Sequence, residues 1–492
     1  MTKEIMLSGP NNIEKKLLLK RSYWTVMGSI IFSVLLLYTL SFFVSYNAHL
    51  QARKDASGLE HPYASKFFYF YYYTGFFPLA TSDSNLIYSE TGAWNQIEHK
   101  GERLLMEYKH WSRLGEHARI FCYLPNAILR GSAAQPSVRL FNALFFLFGL
   151  LFLYRGFYKV QKPLLGLILC TLIIATPYFQ YEVFRNENIF ALQASVFFLI
   201  FGLLLPLLFQ EIKGHGYVLG GIIISSCIIA FCSEIRNEIS VVFACLLLMV
   251  WLSHQTSWKS RLLMSAMALL FFVVTKKGIQ SYFDNSFSQT KELVSKYKGH
   301  VYSGPRIAGH RIWHPIFCGL GDYDRKYGYA WSDTVAYAYA VPILNAKYHL
   351  GLHYTGNFYT DNYYDSAHQY YIKFDEIPAY ETVVKEKVLG DILKDPVWYL
   401  DILCRRLVKI CESTLPIPFL GFLVLGMLLF LINKGNRTYL IMLVITLPLS
   451  ATAFLIYSGR GATYNGMFGY FMLAMLLYEI LLYPSKKERL QN

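Results

Sequence analysis

Asp83, in the stretch PLATSDSNLIYSE, has the type and setting of a general base. It stands among small polar residues just before the apolar run Leu86–Tyr88, and Glu90 is the only other acid in the stretch. A positioned carboxylate can take the proton from an attacking hydroxyl group. Asp83 and Glu90 therefore compete for one catalytic role. The alternative interpretation is that Asp83 caps a helix or lies in a solvated loop.

Arginines suited to phosphate binding occur in three other stretches. Arg185 is followed by Glu187 in ATPYFQYEVFRNENIFALQ, Arg236 lies between two glutamates in CSEIRNEIS, and Arg460 lies between two glycines in SGRGATYNG. A guanidinium group binds phosphate through two parallel hydrogen bonds, and glycine lets the backbone approach a ligand closely. The alternatives are that Arg185 pairs with a neighbouring glutamate and that Arg460 reaches to lipid headgroups.

Aromatic and histidine side chains are dense in SGPRIAGHRIWHPIFCGLGDYDRKYGYAWSDTVAYAYA. Aromatic faces stack on sugar rings, so His310, Trp313, His314 and Trp331 are candidates to face a carbohydrate acceptor. The alternative is an ordinary aromatic core. His310 and His314 are four residues apart, which on a helix would place both on one face as metal ligands. Pro315 and the flanking glycines predict no helix, so we assign no metal ligands and leave a divalent ion only as a possibility.

These candidates must be positioned by helices that cross a membrane. The chain is 54% hydrophobic and only 16% charged over 492 residues, which is typical of a polytopic membrane protein. About 20 apolar residues are needed to cross the hydrocarbon core as a helix. The sequence predicts an all-α protein with ten spans, at Tyr23–Tyr46, Val138–Tyr154, Pro163–Phe179, Ile189–Phe209, Tyr217–Ser233, Ile239–Leu252, Leu262–Thr275, Pro418–Asn433, Thr438–Tyr457 and Gly466–Tyr483.

The orientation of these spans is predicted by lysine and arginine, which are retained in short cytoplasmic loops. With ten spans, all the basic clusters fall on one face, so both termini are predicted to be cytoplasmic. Two long segments then lie outside, roughly 47–137 and 276–415. The first is predicted to hold a surface helix after Asp83, and the second an amphipathic helix in ETVVKEKVLGDILKDP. The working surface should therefore face outward.

The net charge of +14 is explained by this topological signal, and no pattern typical of nucleic-acid binding accompanies it. The spacing of the eight cysteines does not indicate a disulfide framework, because four of them lie in or near predicted spans. Spacing leaves open a bridge among the other four, which are Cys122, Cys318, Cys404 and Cys411. No Walker loop, dinucleotide fingerprint or Ser-His-Asp signature is present. The composition and motifs therefore favour neither nucleic-acid binding nor nucleotide-driven or hydrolytic chemistry.

The order of these features resembles that of the GT-C superfamily of membrane glycosyltransferases, which includes protein O-mannosyltransferases and aminoarabinose transferases of lipid A. SDSNLIYSETGAW is similar to the family's first outer loop, with Asp83 and Tyr88 at the matching positions. PSVRLFNALFFLFGLLFLY resembles the second span, with Arg139 at its start, and Glu187 and Arg236 fall at matching outer turns. The family's acidic pair is absent from this loop, which leaves a metal requirement open.

The resemblance implies a transferase in the inner membrane that faces the periplasm or exterior. The donor would be a polyprenyl-phosphate-linked sugar, and the acceptor a glycan such as O-antigen or lipopolysaccharide, a lipid or a protein. Asp83 would act as the base of an inverting transfer, and Tyr88 would face the sugar or the acceptor. Arg185, Arg236 and Arg460 would hold the donor phosphate, with Glu187 beside them.

Two other functions remain open at this point. A polymerase or ligase of lipid-linked glycans also carries a large late outer loop with arginine and histidine. A transporter or flippase would act without chemistry, but it should show internal repeats and broken helices near the membrane centre. The charges here collect instead at the outer ends of the predicted spans.

Overall fold

The computed structural model describes residues 118, 121–122, 124–125, 138–175, 191–209, 215–253, 256–296, 312–356, 362–365, 370–412, 437–456 and 467–490. The first and eighth predicted spans and most of the first outer segment lie outside these residues. Within them the chain is helical apart from one short two-stranded sheet.

Most of the apolar helices precede residue 300. They are α1 (Arg139–Lys159), α2 (Pro163–Ala175), α3 (Ala191–Leu204), α4 (Pro206–Phe209), α5 (His215–Ile235), α6 (Val241–Leu252) and α7 (Trp258–Lys296), with a 3-10 turn at Asn237–Ser240 between α5 and α6. Three more helices close the described chain: α12 (Arg437–Thr446), α13 (Ala451–Leu455) and α14 (Met467–Leu490). Apart from that of α13, their buried faces form one continuous apolar core, whereas Ala453 of α13 packs with Ile410.

The turn between α1 and α2 shows how the sequence ends one helix and begins the next. Gln161 adopts a left-handed conformation with φ 61°. Its amide donates to the Tyr158 carbonyl, and the amide of Lys162 donates to the Phe157 carbonyl. This is the Schellman arrangement, which satisfies the last carbonyls of a helix. Pro163 then starts α2, where its missing amide hydrogen costs nothing.

Small residues bring α1 and α3 into close contact. A side chain at Gly156 would collide with the backbone of Gly202, and one at Gly202 would collide with the backbone of Phe152. Between membrane helices, glycine at the contact lets the two backbones approach and gain packing energy. The glycines at 156 and 202 therefore fix the separation of α1 and α3.

Four helical stretches are long and apolar enough to cross a membrane: Leu140–Lys159, Val218–Ile235, Trp258–Asn285 and Arg437–Leu455. Shorter apolar helices of 10–17 residues accompany them. Described helices overlap eight of the ten predicted spans. The seventh prediction, Leu262–Thr275, is too short, because α7 runs for 39 residues and continues through a polar segment.

Residues 312–412 form a second compact body, which we call the aromatic unit. It comprises α8 (Trp313–Leu320), α9 (Asp333–Tyr348), the antiparallel strands β1 (Asn362–Asp365) and β2 (Tyr370–Lys373), α10 (Pro378–Lys394) and α11 (Pro396–Glu412). Its own core is rich in tyrosine. The predicted amphipathic helix in ETVVKEKVLGDILKDP is confirmed as part of α10.

Arg406 connects the aromatic unit to the apolar helices. Its side chain is fully buried on the face of α11 that also carries Ile402 and Ile410. The guanidinium group donates to the carbonyls of Gly319, at 2.7 Å, and of Phe454 and Ile456 at the end of α13, at 3.2 and 3.0 Å. Burial lowers the pKa of Arg406, and the charge of Asp322 opposes that shift. One side chain thus bridges α8, α11 and α13.

Candidate functional site

Most of the residues predicted to do chemistry lie outside the described part of the chain. These are Asp83, Tyr88, Glu90, Arg185, Glu187, His310 and Arg460. Their predicted roles stay predictions. The structure describes the remaining four, Arg236, Trp313, His314 and Trp331.

Arg236 lies in the bend between α5 and the 3-10 turn that follows it. Its Nη2 donates to Glu238 Oε1 at 2.8 Å, and its Nε lies 2.7 Å from Glu238 Oε2. The contact combines one hydrogen bond with a second close charge contact, and a guanidinium group can bind a carboxylate or a phosphate from the same side. Glu238 therefore occupies the side of the guanidinium group that a phosphate would bind, so a phosphate ligand would need to displace the Glu238 carboxylate.

Glu234 contacts α7. Its Oε1 accepts a hydrogen bond from Gln280 Nε2 at 3.1 Å and lies 3.5 Å from Lys276 Nζ. The carboxylate is almost fully buried, and a buried charge is costly unless it is paired. The two glutamates that flank Arg236 in the sequence thus have different partners at the same end of α5. Glu238 pairs with Arg236, and Glu234 pairs with Lys276.

The aromatic candidates occupy different environments. Trp331 is 46% exposed on the surface before α9. Trp313 is partly buried at the start of α8, with Lys385 Nζ 5.8 Å from its ring centre. His314 is only 2% exposed. Its predicted contact with an acceptor stays a prediction, while the structure places its imidazole inside a polar cluster.

The prediction that Pro315 excludes a helix at this point is wrong. α8 begins at Trp313, so Pro315 is its third residue. The first amides of a helix have no intrahelical acceptor, and proline is tolerated there for that reason. The helix places His314 and Cys318, four residues apart, on one face.

His314 lies at the centre of a cluster formed by three helices. Its Nδ1 is 2.6 Å from Tyr380 Oη on α10, and its Nε2 is 2.9 Å from Asp333 Oδ1, the first residue of α9. Cys318 Sγ lies 3.8 Å from the same Nε2 and 4.0 Å from Asp333 Oδ1. One imidazole therefore contacts a phenol, a carboxylate and a thiol. Such a set can relay protons or bind a cation.

The loop between α8 and α9 brings Asp333 back to α8. Gly321 packs so closely against the backbone of Ala330 that any side chain at position 321 would collide with it. Ser332, in extended conformation, then precedes α9. An acidic residue in the first turn of a helix is favoured by the helix dipole. Local sequence thus supports both the turn and the position of the Asp333 carboxylate.

A second hydrogen-bonded pair lies beside the cluster. Tyr337 donates to Asp375 Oδ1 at 2.8 Å, and the rings of Tyr337 and Tyr380 meet edge to face. Burial, reinforced by the charge of Asp375, raises the pKa of Tyr337 far above that of an ordinary phenol. Burial likewise raises the pKa of Tyr380, and it raises the pKa of the Cys318 thiol to about 12. In this environment the two phenols and the thiol keep their protons at neutral pH.

Sequence reasoning identified His314 but not its partners Cys318, Asp333 and Tyr380. The His-x-x-x-Cys spacing was a visible signal for one of them. The other two come from residues 19 and 66 positions away and depend on the tertiary fold. Seven cysteines, at positions 122, 170, 227, 232, 245, 318 and 404, are free in the structure.

No protein-family model, curated protein or solved structure matches this chain.

Proposed function

We propose that this chain is an integral-membrane glycosyltransferase with ten spans and cytoplasmic termini, of the kind that its sequence resembles. It would transfer one sugar from a polyprenyl-phosphate donor to an acceptor at the outer face of the membrane. The acceptor hydroxyl attacks the anomeric carbon, the bond from that carbon to the phosphate oxygen breaks, and the lipid phosphate leaves. Asp83 takes the hydroxyl proton, and the configuration of the sugar inverts.

One observation carries this proposal beyond the sequence. Glu234 contacts Lys276 and Gln280 near the middle of α7, just after its apolar first half and before the polar half that leads towards the aromatic unit. The bend that carries Arg236 therefore lies at the level where the apolar part of α7 ends, on the side from which the chain continues towards that unit. This supports a site in which an arginine suited to lipid phosphate and an aromatic surface suited to sugar work on one side of the membrane.

The first test replaces the proposed base. Asp83→Asn should lower sugar transfer by about 10²–10⁴-fold in isolated membranes supplied with a lipid-linked donor. Expression and membrane insertion should be unchanged. If Asp83→Asn keeps near-normal transfer and Glu90→Gln does not, Glu90 is the base. Normal transfer by both variants would refute carboxylate base catalysis in this loop.

The second test addresses the phosphate. Lysine keeps the charge of arginine but loses the planar pair of donors. Arg236→Lys should therefore weaken use of limiting donor while leaving the apparent affinity for acceptor unchanged. Arg155→Lys is the control, because Arg155 is an exposed residue near the end of α1. Equal donor use by the wild type and both variants would remove Arg236 from the site.

The products of the same assay distinguish the other functions. Addition of a single sugar supports the proposal. Products lengthened by several repeat units would indicate a polymerase instead. Movement of the donor lipid across the membrane without any new glycosidic bond would indicate a transporter.

A further inference from the structure

The side chains of His314, Cys318 and Asp333 converge on a small volume between α8 and α9. Nε2 of His314 lies 2.9 Å from Oδ1 of Asp333 and 3.8 Å from Sγ of Cys318, and the sulfur lies 4.0 Å from the same carboxylate oxygen. These three atoms form a triangle in which every pair lies within 4.8 Å. The chemistry of a nitrogen, a sulfur and an oxygen ligand is that of a transition-metal site.

The size of this triangle fits zinc. Zinc binds histidine nitrogen and carboxylate oxygen at about 2.0–2.2 Å and cysteine sulfur at about 2.3 Å. In a tetrahedron those bond lengths separate nitrogen and oxygen by about 3.3 Å, and sulfur from either by about 3.5 Å. The distances in the structure differ from these by no more than about 0.5 Å. Small side-chain rotations would therefore bring all three atoms to bonding distance, with no movement of either helix.

The other nitrogen of His314 is already held. Nδ1 lies 2.6 Å from the hydroxyl oxygen of Tyr380, a fully buried residue. Coordination of a metal through Nε2 requires the proton to be on Nδ1, where the tyrosine oxygen accepts it. A metal-binding histidine commonly has such a partner, which fixes the ring and its tautomer. Tyr380 thus occupies the position of an orienting residue.

We propose that the aromatic unit binds one Zn²⁺ through His314, Cys318 and Asp333. The side chain of Asp333 is 39% exposed, whereas His314 is buried, so the fourth coordination position opens towards solvent on the Asp333 side. The thiol loses its proton to become a ligand. Thiolate and carboxylate then balance the charge of the ion. A mixed set with imidazole and thiolate favours zinc over Mg²⁺ or Ca²⁺, which prefer oxygen ligands. This inference does not depend on the proposed function.

The test uses Co²⁺ as a spectroscopic probe. Full-length protein purified in detergent is stripped with a chelator, titrated with Co²⁺, and then titrated with Zn²⁺. We expect one Co²⁺ per chain, visible d–d absorption typical of tetrahedral cobalt, and a near-ultraviolet thiolate-to-cobalt band. Zn²⁺ should displace the cobalt and abolish both signals. Absence of a thiolate band in the wild type would overturn the proposal without any variant.

Variants then assign the ligands. Cys318→Ser should abolish the thiolate band, whereas Cys404→Ser should keep it, because Cys404 is exposed on α11. Tyr380→Phe preserves the ring but removes the orienting oxygen, and it should weaken cobalt binding by about 10–100-fold. A band that persists in Cys318→Ser, or an affinity unchanged in Tyr380→Phe, would contradict the site. If Cys318→Ser does not fold, Cys318→Ala serves the same purpose.

Discussion

Replacement of Arg406 by alanine tests how the aromatic unit is held to the apolar helices. The guanidinium group is fully buried and donates to three carbonyl oxygens, two of them at the end of α13. It also lies 3.6 Å from Oδ2 of Asp322, whose side chain is only 10% exposed. Alanine removes all these contacts at once and leaves the carboxylate without this cation.

The size of the effect follows from these contacts. A buried acceptor that loses its donor costs about 1–3 kcal/mol, and a buried ion pair broken on one side costs about 3–5 kcal/mol. Such losses within one network are not additive. We therefore expect Arg406→Ala to lower the free energy of unfolding by about 3–5 kcal/mol. Arg406→Lys keeps the charge but lacks the planar fork, so its loss should be intermediate.

The assay is the thermal unfolding of detergent-purified protein, followed by limited proteolysis at increasing temperature. Arg405→Ala is the matched control, since Arg405 is the adjacent residue, is about half exposed, and contacts Asp401 one turn away and the ring of Tyr323 at 5.9 Å without reaching α13 in any described contact. An exposed pair of this kind is worth about 0–1 kcal/mol. If Arg406→Ala and Arg405→Ala unfold at the same temperature, the inference that Arg406 joins the two bodies is wrong.

Three further predictions concern other parts of the molecule. Gly202→Ala should lower the melting temperature because its Cβ would collide with α1, whereas Gly220→Ala, which has open space around it, should not. Since burial raises the pKa of Tyr337, the folded state holds its proton more tightly than the unfolded state. Stability should be complete below about pH 10 and fall above it. Alkaline denaturation should show a shallower fall for Tyr337→Phe, and an unchanged slope would contradict the assignment. A reporter fused after Asp324 should be non-cytoplasmic, and a cytoplasmic signal would reject the proposed orientation.

The helices of the apolar part were largely predictable because runs of apolar residues and helix-starting residues such as Pro163 are local features of the sequence. The structure starts α2 at Pro163, as predicted, and starts α1 at Arg139, one residue after the predicted Val138. Hydropathy marks only the apolar length of a helix, however. Hydropathy therefore does not predict the continuation of α7 after Thr275, because the residues of that part of the helix are mostly polar.

The contacts of the aromatic unit were less predictable because they depend on tertiary structure. Nothing local distinguishes Arg405 from Arg406 except helical spacing, which places Arg406 with Ile402 and Ile410 on the buried face. That spacing is visible in the sequence and is enough to predict which of the two arginines is buried. The contact between His314 and Tyr380, in contrast, joins two helices that are far apart in the chain and has no local signature.

α7 is much longer than the thickness of a membrane's hydrocarbon layer. Its 39 residues extend for about 58 Å along the helix, since each residue rises about 1.5 Å. The hydrocarbon layer accounts for only about 30 Å of this. If α7 crosses the membrane as proposed, a helix nearly twice as long as the layer is thick projects well past it at one or both surfaces. The projecting part would then act as a spacer, and its length would set how far from the layer α7 ends at Lys296.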